Sequence, residues 1–199
     1  MLINSTLYLP ILTIYPLMVG IFVLIILLGY WSQTHYPKFN KRNVLKLLFA
    51  FYITCVAQLT NSINIYTPWT YLRMVRAAHG FGYFDDIEWH PLAMYKSIYT
   101  ATSQYTIIGN IIMLVPLTFF VCILWNNTAS LKKMFILAIF TSLTIETSQL
   151  ILSYFYLEHR LFDLNDLLQN TLGGLLGYAL FILVQRTLPK FVHHAQQIV

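Results

Sequence analysis

The chain has 199 residues, of which 58% are hydrophobic and only 10% are charged, and its formal net charge is +5. Soluble domains contain about 25% charged residues, so this composition excludes a soluble globular protein. Backbone polar groups in lipid must be paired within their own element. The sequence therefore predicts an all-α, polytopic membrane protein with one membrane domain over 1–199.

Five apolar segments are long enough, at about 20 residues, to span a bilayer. They cover about 7–30, 43–61, 104–125, 131–157 and 164–185. The first segment lacks the basic flank and the cleavage site of a signal peptide, so we interpret it as an uncleaved transmembrane helix. The second is the weakest, because Lys46 and Gln58 lie inside it.

The basic residues predict the orientation of these spans. If the N-terminus is outside, eight Lys and Arg residues fall on the inner side and four on the outer side. The inner group is Lys38, Lys41, Arg42, Lys46, Lys132, Lys133, Arg186 and Lys190, and the outer group is Arg73, Arg76, Lys96 and Arg160. We therefore expect an outer N-terminus and a cytoplasmic C-terminus. The acidic residues Asp85, Asp86, Glu88, Glu158, Asp163 and Asp166 would all lie outside.

The longest connection, about 62–103, is predicted to form a cap at the outer interface. Thr67 and Pro68 resemble a helix start, with Thr as the N-cap and Pro at the first helical position, so we expect a short helix that reaches His79. A second amphipathic stretch is predicted over 92–101.

Polar side chains follow one face of each of the last two spans. Ser142, Glu146, Gln149 and Ser153 recur at steps of four, three and four residues, and Asp163, Asp166 and Asn170 recur at three and four. Counting down from the connection between these spans places Asn170 level with Gln149. The same count places Glu146 level with Gly173 and Gly174.

Two interpretations of these stripes remain open. Asp163 and Asp166 suit a helix N-terminus, and Glu146 and Gln149 can join helices by hydrogen bonds. An ionised carboxylate at membrane depth costs about 2.5–3.5 kcal/mol or more, however, which favours a functional polar pocket around Glu146. Carboxylates of this kind also suit a divalent cation such as Mg²⁺, although we assign no cofactor.

The other candidates carry weaker signals. Arg73 and Arg76 lie one turn apart in the cap and are candidates for binding a phosphate or carboxylate, with snorkelling to lipid headgroups as the alternative. His79, His90 and His159 lack the spacing of metal ligands, and we expect them at the interface.

Three segments carry a resemblance to a known family. They are Asn110-Ile-Ile-Met-Leu-Val-Pro116, Ser142-Leu-Thr-Ile-Glu146-Thr-Ser-Gln149 and Arg160-Leu-Phe-Asp163-Leu-Asn-Asp166-Leu-Leu-Gln-Asn170-Thr-Leu-Gly173-Gly174-Leu-Leu-Gly177. Over about 40–185 the chain resembles the VanZ-like membrane protein family, and Thr118 departs from the glycine that this family often has there. The resemblance implies a bacterial cell-membrane protein associated with low-level resistance to teicoplanin and related lipoglycopeptides. It also implies functional roles for Asn110, Glu146, Gln149, Arg160, Asp163, Asp166 and Asn170.

We therefore expect an outward-facing pocket between the last three spans, covered by the 62–103 segment, that acts on or binds a lipid-linked envelope component. The expected partners are membrane lipids, a lipid-linked cell-wall precursor or the lipoglycopeptide itself, and no nucleic acid. If the protein is an enzyme, we expect a transferase or hydrolase with Glu146, Asp163, Asp166 and Arg160 as catalytic residues. The substrate-binding candidates are Asn110, Gln149, Asn170, Arg73 and Arg76. Non-catalytic capture of a lipid or antibiotic is the alternative, and transport is a second alternative that the single small polar cluster and the lack of an inverted repeat disfavour.

Overall fold

The computed structural model describes residues 1–34, 41–82, 87–90, 101–125, 129–160 and 162–196. The helices in these residues are α1 (Pro16–Thr34), α2 (Lys41–Thr60), α3 (Pro68–Ala77), α4 (Ala101–Leu124), α5 (Leu131–Tyr154), α6 (Leu164–Thr187) and α7 (Pro189–Gln196). The strands are β1 (Leu2–Ile3), β2 (Thr6–Leu7), β3 (Leu12–Ile14), β4 (Ile63–Ile65), β5 (Ile87–Glu88) and β6 (Phe162–Asp163). β1 pairs with β2 and β3 with β4, both antiparallel, whereas β5 and β6 pair in parallel.

Four helical stretches in the described residues are long and apolar enough to cross a membrane. They are Arg42–Thr60, Gln104–Leu124, Leu131–Tyr154 and Leu164–Thr187. Their bounds agree with those of the second to fifth predicted spans to within a few residues. The chain is thus an all-α polytopic membrane protein, as its composition predicts.

The bounds of the first predicted span were wrong. Residues 7–15 are not helical, because β3 pairs with β4 and the helix begins only at Pro16. Proline suits the first position of a helix and disfavours a helical conformation in the residue before it, so Pro16 sets this boundary. The N–H of Leu17 in the first turn donates to the side chain of Gln58 at 3.1 Å. From there α1 runs antiparallel to α2 with an apolar stretch at Pro16–Ile26.

α6 packs on both α4 and α5, whereas α2 packs on α4 and α1 packs on α2. Apolar side chains from α4, α5 and α6 form a core together with Val192 and Ala195 of α7, a helix that the sequence did not predict. Arg42 of α2 joins α7 to the end of α4. Its guanidinium donates to the carbonyl oxygens of Gln196 at 3.1 Å and Leu124 at 3.3 Å.

Charge separates the two ends of this helix bundle. At one end, which we call the basic end, α2 and α5 begin and α4 and α6 end, and the basic residues there include Arg42, Lys46, Lys132, Lys133, Arg186 and Lys190. At the opposite end, the carboxylate end, the described acidic residues are Glu88, Glu158, Asp163 and Asp166, with Glu146 less than three turns inside α5.

Part of the predicted cap is visible at the carboxylate end. Thr67 is the N-cap of α3, where its side-chain oxygen accepts a hydrogen bond from the N–H of Thr70 at 3.0 Å, and Pro68 follows as predicted. α3 ends at Ala77, and His79 then takes a left-handed conformation with a φ of 60°. Met74 of α3 packs with Tyr66 and Tyr156 in a small core. Residues 83–86 and 91–100, and with them most of the second predicted amphipathic stretch, lie outside the described residues.

Candidate functional site

Glu146 lies where α5 meets the start of α6. Only 1% of the residue is exposed, and its Oε2 accepts a hydrogen bond from the backbone N–H of Asp163 at 3.2 Å. Asp163 is the N-cap of α6, and its Oδ1 accepts from the backbone N–H of Asn165 at 2.7 Å and from the Asn165 side chain at 2.8 Å. The capping carboxylate therefore pairs within its own turn, and Glu146 provides the acceptor for the N–H of the cap residue.

The connection between α5 and α6 folds inward. Ser153 fixes this fold, because its hydroxyl donates to the carbonyl of Arg160 at 2.7 Å and accepts from the N–H of the same residue at 3.0 Å. Tyr156 adopts a left-handed conformation with a φ of 57° in the turn between them. As a result, α6 begins level with Glu146, just over two turns before the end of α5.

The predicted depths were therefore wrong. Asn170 lies level with Ser142, to which its Nδ2 donates a hydrogen bond at 3.2 Å, and not with Gln149. Gly174 lies against Ala138, two turns below Glu146. The depth count placed the connection outside the helix ends, whereas it returns alongside α5.

Asn110 brings α4 to the same cluster. Its Nδ2 donates to Oε1 of Gln169 at 3.1 Å, and its side chain also lies within hydrogen-bonding reach of Asp166. Asp166 in turn interacts electrostatically with Glu146. The structure thus brings five of the predicted functional residues together where α4, α5 and α6 meet: Asn110, Glu146, Asp163, Asp166 and Asn170.

Gln149 faces a different partner. Its Nε2 donates to the carbonyl oxygen of Thr60 at 2.7 Å, at the last residue of α2. Ser148, next to it, donates to the side chain of Asn61 at 2.9 Å. These two hydrogen bonds tie the end of α2 to α5.

Arg160 lies at the rim of the cluster, with 54% of its side chain exposed. Its guanidinium donates to the carbonyl of Leu59 at 3.2 Å, and its Nε lies 3.9 Å from Oε1 of Glu158. The positive charge also acts on Glu146 and Asp166. Arg160 is therefore the cation of this cluster that solvent and headgroups reach.

Glu158, which the sequence analysis did not single out, is buried beside Arg160. Its Oε1 accepts from the backbone N–H of Ser62 at 3.0 Å and from the Ser62 hydroxyl at 3.3 Å. Burial raises the pKa of this carboxyl, and the hydrogen bond from the Ser62 N–H opposes the increase. No sequence signal marks Glu158, because its partner lies 96 positions away in the chain.

The three glycines of α6 allow helices to approach closely rather than leave space beside Glu146. A Cβ at Gly173 would lie 1.9 Å from the carbonyl oxygen of Ile111, and one at Gly177 would lie 2.0 Å from that of Val115. Thr118 adds a hydrogen bond to the carbonyl of Gly174 at 2.6 Å. The glycines thus set the distance between α4 and α6, and with it the position of Asn110.

Comparison with protein families agrees with this arrangement. The family model VanZ/LLP1 matches residues 14–185, which include α2, α4, α5, nearly all of α6 and every residue of the cluster. The chain belongs to the VanZ/LLP1 family. It matches no curated protein and no solved structure.

Two of the remaining predicted residues of this VanZ/LLP1 protein, Arg73 and Arg76, lie apart from the cluster. They are exposed on α3, and no described contact joins them to Glu146. His79 and His159 are also exposed, whereas the carbonyl oxygen of His90 accepts from the side chain of Asn165 at 3.4 Å and its ring lies 3.1 Å from the carboxylate of Glu88. The substrate-binding role of the two arginines stays a prediction.

Two buried amide side chains of the cluster, those of Asn165 and Gln169, were not predicted from the sequence. Asn165 and Gln169 are 1% and 3% exposed and form a second stripe on α6, spaced four residues apart like Asp166 and Asn170. That spacing is the signal that would have found them. The described residues include no group of three or more His, Cys, Asp or Glu side chains arranged to hold a metal ion.

Proposed function

We propose that this VanZ/LLP1 membrane protein binds the polar head of a lipid-linked envelope component at the Glu146 cluster and so gives low-level resistance to teicoplanin-type lipoglycopeptides. The observation that carries the proposal is the position of Glu146. This carboxylate is almost fully buried in a membrane-spanning helix, yet it lies beside Asp163, Asp166 and the exposed cation Arg160. Carboxylates at such depth are rare in membrane proteins and usually belong to functional sites.

The proposed orientation puts this cluster on the outer side of the bacterial cell membrane. Basic residues favour the cytoplasmic side, and the basic end of the bundle is opposite the cluster. The N-terminus would then be outside and the C-terminus cytoplasmic. Envelope precursors are exposed on the outer side, where lipoglycopeptides meet them.

The residues of the cluster suggest how an amphipathic ligand binds. Arg160, exposed at the rim, attracts an anionic group of the headgroup, while Asn110 and Asn170 offer amide groups deeper between the helices. The outer faces of the helices carry exposed apolar side chains such as Ile108, Ile112 and Leu168, against which acyl or prenyl chains can lie.

Catalysis is the second candidate, and the proximity of Glu146 to Asp163 and Asp166 favours it. Two carboxyl groups held together can act as general acid and general base in transfer or hydrolysis on a lipid-linked substrate. Binding without bond breakage needs only the shape and the hydrogen bonds of the site. The two candidates therefore differ in what they require of Glu146.

Substitution at Glu146 tests both candidates. Teicoplanin susceptibility is measured in a host that lacks the protein and expresses the wild type, Glu146→Gln or Glu146→Ala at equal folded levels. Glu146→Gln keeps the acceptor for the Asp163 N–H, so it preserves resistance if the site only binds and abolishes it if Glu146 is a general base. Glu88→Gln serves as the control for charge, because Glu88 is a partly exposed carboxylate at the same end.

Loss of resistance in both Glu146 variants, with Glu88→Gln unchanged, supports catalysis. Unchanged susceptibility for Glu146→Ala and Asp166→Ala, at wild-type folded levels, would show that the cluster has no part in resistance. Mass spectrometry of lipids from membranes with and without the protein then identifies any species that the protein consumes or produces.

A further inference from the structure

Two buried oxygen atoms on α6 have no hydrogen-bond donor among the described residues. They are Oδ1 of Asp166 and Oδ1 of Asn170. The two residues lie four positions apart, so their side chains are neighbours on one face of the helix. Leaving a buried acceptor without a donor costs about 1–3 kcal/mol, and the cost is larger for a charged acceptor.

The orientation of the Asn170 amide follows from its partner. The single proton of the Ser142 hydroxyl points to the carbonyl of Leu167 at 3.4 Å, so the hydroxyl oxygen accepts from Asn170. The amide nitrogen must therefore face Ser142 and the amide oxygen must face away from it. Asn170 is 1% exposed, so this oxygen is buried inside the protein.

The surrounding charges are mostly negative. Glu146 lies one turn above Ser142 on α5, and Asp163 and Asp166 approach it from α6. Arg160 is the cation that acts on this group, but it is half exposed and is shared with Glu158 and the carbonyl of Leu59. The cluster thus offers acceptor oxygens and an excess of negative charge.

We propose that a monovalent inorganic cation, sodium, binds where α4, α5 and α6 meet, to Oδ1 of Asp166 and Oδ1 of Asn170. Oxygen atoms are the ligands of hard cations, and one carboxylate with neutral amide or carbonyl oxygens matches a single positive charge. A divalent ion held by protein side chains usually takes several carboxylates, and the described residues hold no group of three acidic or other strong metal ligands. A sodium ion also fits a buried site more readily than a headgroup does, because it needs little space.

The cation would compensate the negative charges of Glu146, Asp163 and Asp166. This inference rests on side-chain geometry and not on the proposed function, so the site exists or fails whether or not the protein binds an envelope lipid. Its test uses the purified full-length chain without added lipid or antibiotic.

The test is the thermal stability of the detergent-solubilised protein in sodium, potassium or N-methylglucamine chloride at constant ionic strength and pH. At about 100 mM sodium and a dissociation constant of about 10 mM, the folding equilibrium shifts about tenfold, which raises Tm by about 3–5 °C. We expect this rise with sodium relative to N-methylglucamine. Equilibrium dialysis with radioactive sodium measures the stoichiometry independently, and we expect one ion per chain.

Variants locate the site. Asp166→Ala and Asn170→Ala each remove one proposed ligand and should reduce the sodium-dependent rise in Tm at least threefold. Thr147→Ala, on the exposed face of α5, is the control, because it leaves both oxygens and the hydrogen bond between Asn170 and Ser142 in place, so the rise should persist. If either ligand variant does not fold, dialysis of the wild type and of Thr147→Ala still measures the ion.

Three results would overturn the inference. The first is equal stability of the wild type in sodium and N-methylglucamine, together with no bound radioactive sodium. The second is a full sodium response in Asp166→Ala. The third is a response to pH, but not to sodium, that both ligand variants abolish, because a proton would then be the occupant.

Discussion

The backbone N–H of Asp163 donates to Oε2 of Glu146 across 3.2 Å, which links the N-cap of α6 to a carboxylate on the neighbouring helix. The carboxylate of Glu146, which we propose as the central group of the site, therefore also stabilises the start of α6. A variant of Glu146 that loses function is informative only if the structural effect is measured separately.

Glu146→Ala should lower the free energy of unfolding by about 1–3 kcal/mol, because the N–H of Asp163 loses its acceptor in a buried place. Glu146→Gln keeps an oxygen at the same position and should remain close to the wild type. Thermal unfolding of both variants in detergent makes the comparison. Equal melting temperatures for the alanine variant and the wild type would show that this hydrogen bond does not hold α6 in place.

The close approach of α4 and α6 depends on glycine at two positions. Alanine at Gly173 would bring its Cβ to 1.9 Å from the carbonyl oxygen of Ile111, so the helices must separate or the variant must fail to fold. We expect Gly173→Ala to lower Tm by about 5 °C or more, as overpacking of a core does.

Gly109 on α4 provides the control for this experiment. A Cβ there meets no atom within 4 Å, and alanine favours a helix over glycine by about 0.5–1 kcal/mol. Gly109→Ala should therefore leave Tm unchanged or raise it slightly. If both variants lowered Tm by the same amount, helix propensity rather than close packing would explain the effect.

The sequence predicted the four membrane-spanning helices and most of the site because both depend on local signals. Apolar length defines a span, and spacing of three or four residues gathers Glu146 with Ser142, and Asp166 with Asn170, on one helix face. These features need no knowledge of distant contacts.

The errors arose where distant contacts decide the structure. β3 is extended because β4, about 50 positions later, pairs with it, and spacing along the chain does not show this. The inward fold of the connection depends on the hydrogen bonds between Ser153 and Arg160, which shift α6 by nearly two turns relative to the depth count. The hydrogen bond from Ser62 to Glu158 also joins residues that are far apart in the chain, so the sequence does not predict it.

Gln149 should prove to be an anchor for α2, because its Nε2 is bound to the carbonyl of Thr60. Gln149→Leu removes that donor and leaves a buried carbonyl without its partner. We expect faster hydrogen exchange at the amides around the end of α2, about 57–65, with little change in α6. Thr147→Ala, on the exposed face of α5, is the control and should not alter exchange at the end of α2. If hydrogen exchange at these amides were unchanged in Gln149→Leu, contacts other than this hydrogen bond would hold the end of α2 in place.

Glu158 should make stability depend on pH. Burial raises the pKa of its carboxyl in the folded protein above the ordinary value of 4.5, so the folded state binds this proton more tightly than the unfolded state does. The stability that protonation contributes is fully present below the unfolded pKa and is lost as pH rises through the folded pKa. Acidification from about pH 8 to about pH 4 should therefore raise the Tm of the wild type relative to that of Glu158→Gln, which cannot titrate there.

The difference between the two melting curves isolates Glu158 from the other carboxyl groups, because those groups titrate in both proteins. Ser62→Ala tests the cause. It removes the hydroxyl contact to Oε1 at 3.3 Å but keeps the backbone N–H that donates at 3.0 Å. Loss of the hydroxyl weakens the stabilisation of the ionised form, so the folded pKa should rise further and the pH-dependent difference should grow. If the difference in Tm between the wild type and Glu158→Gln were constant with pH, burial would not raise the pKa of this carboxyl.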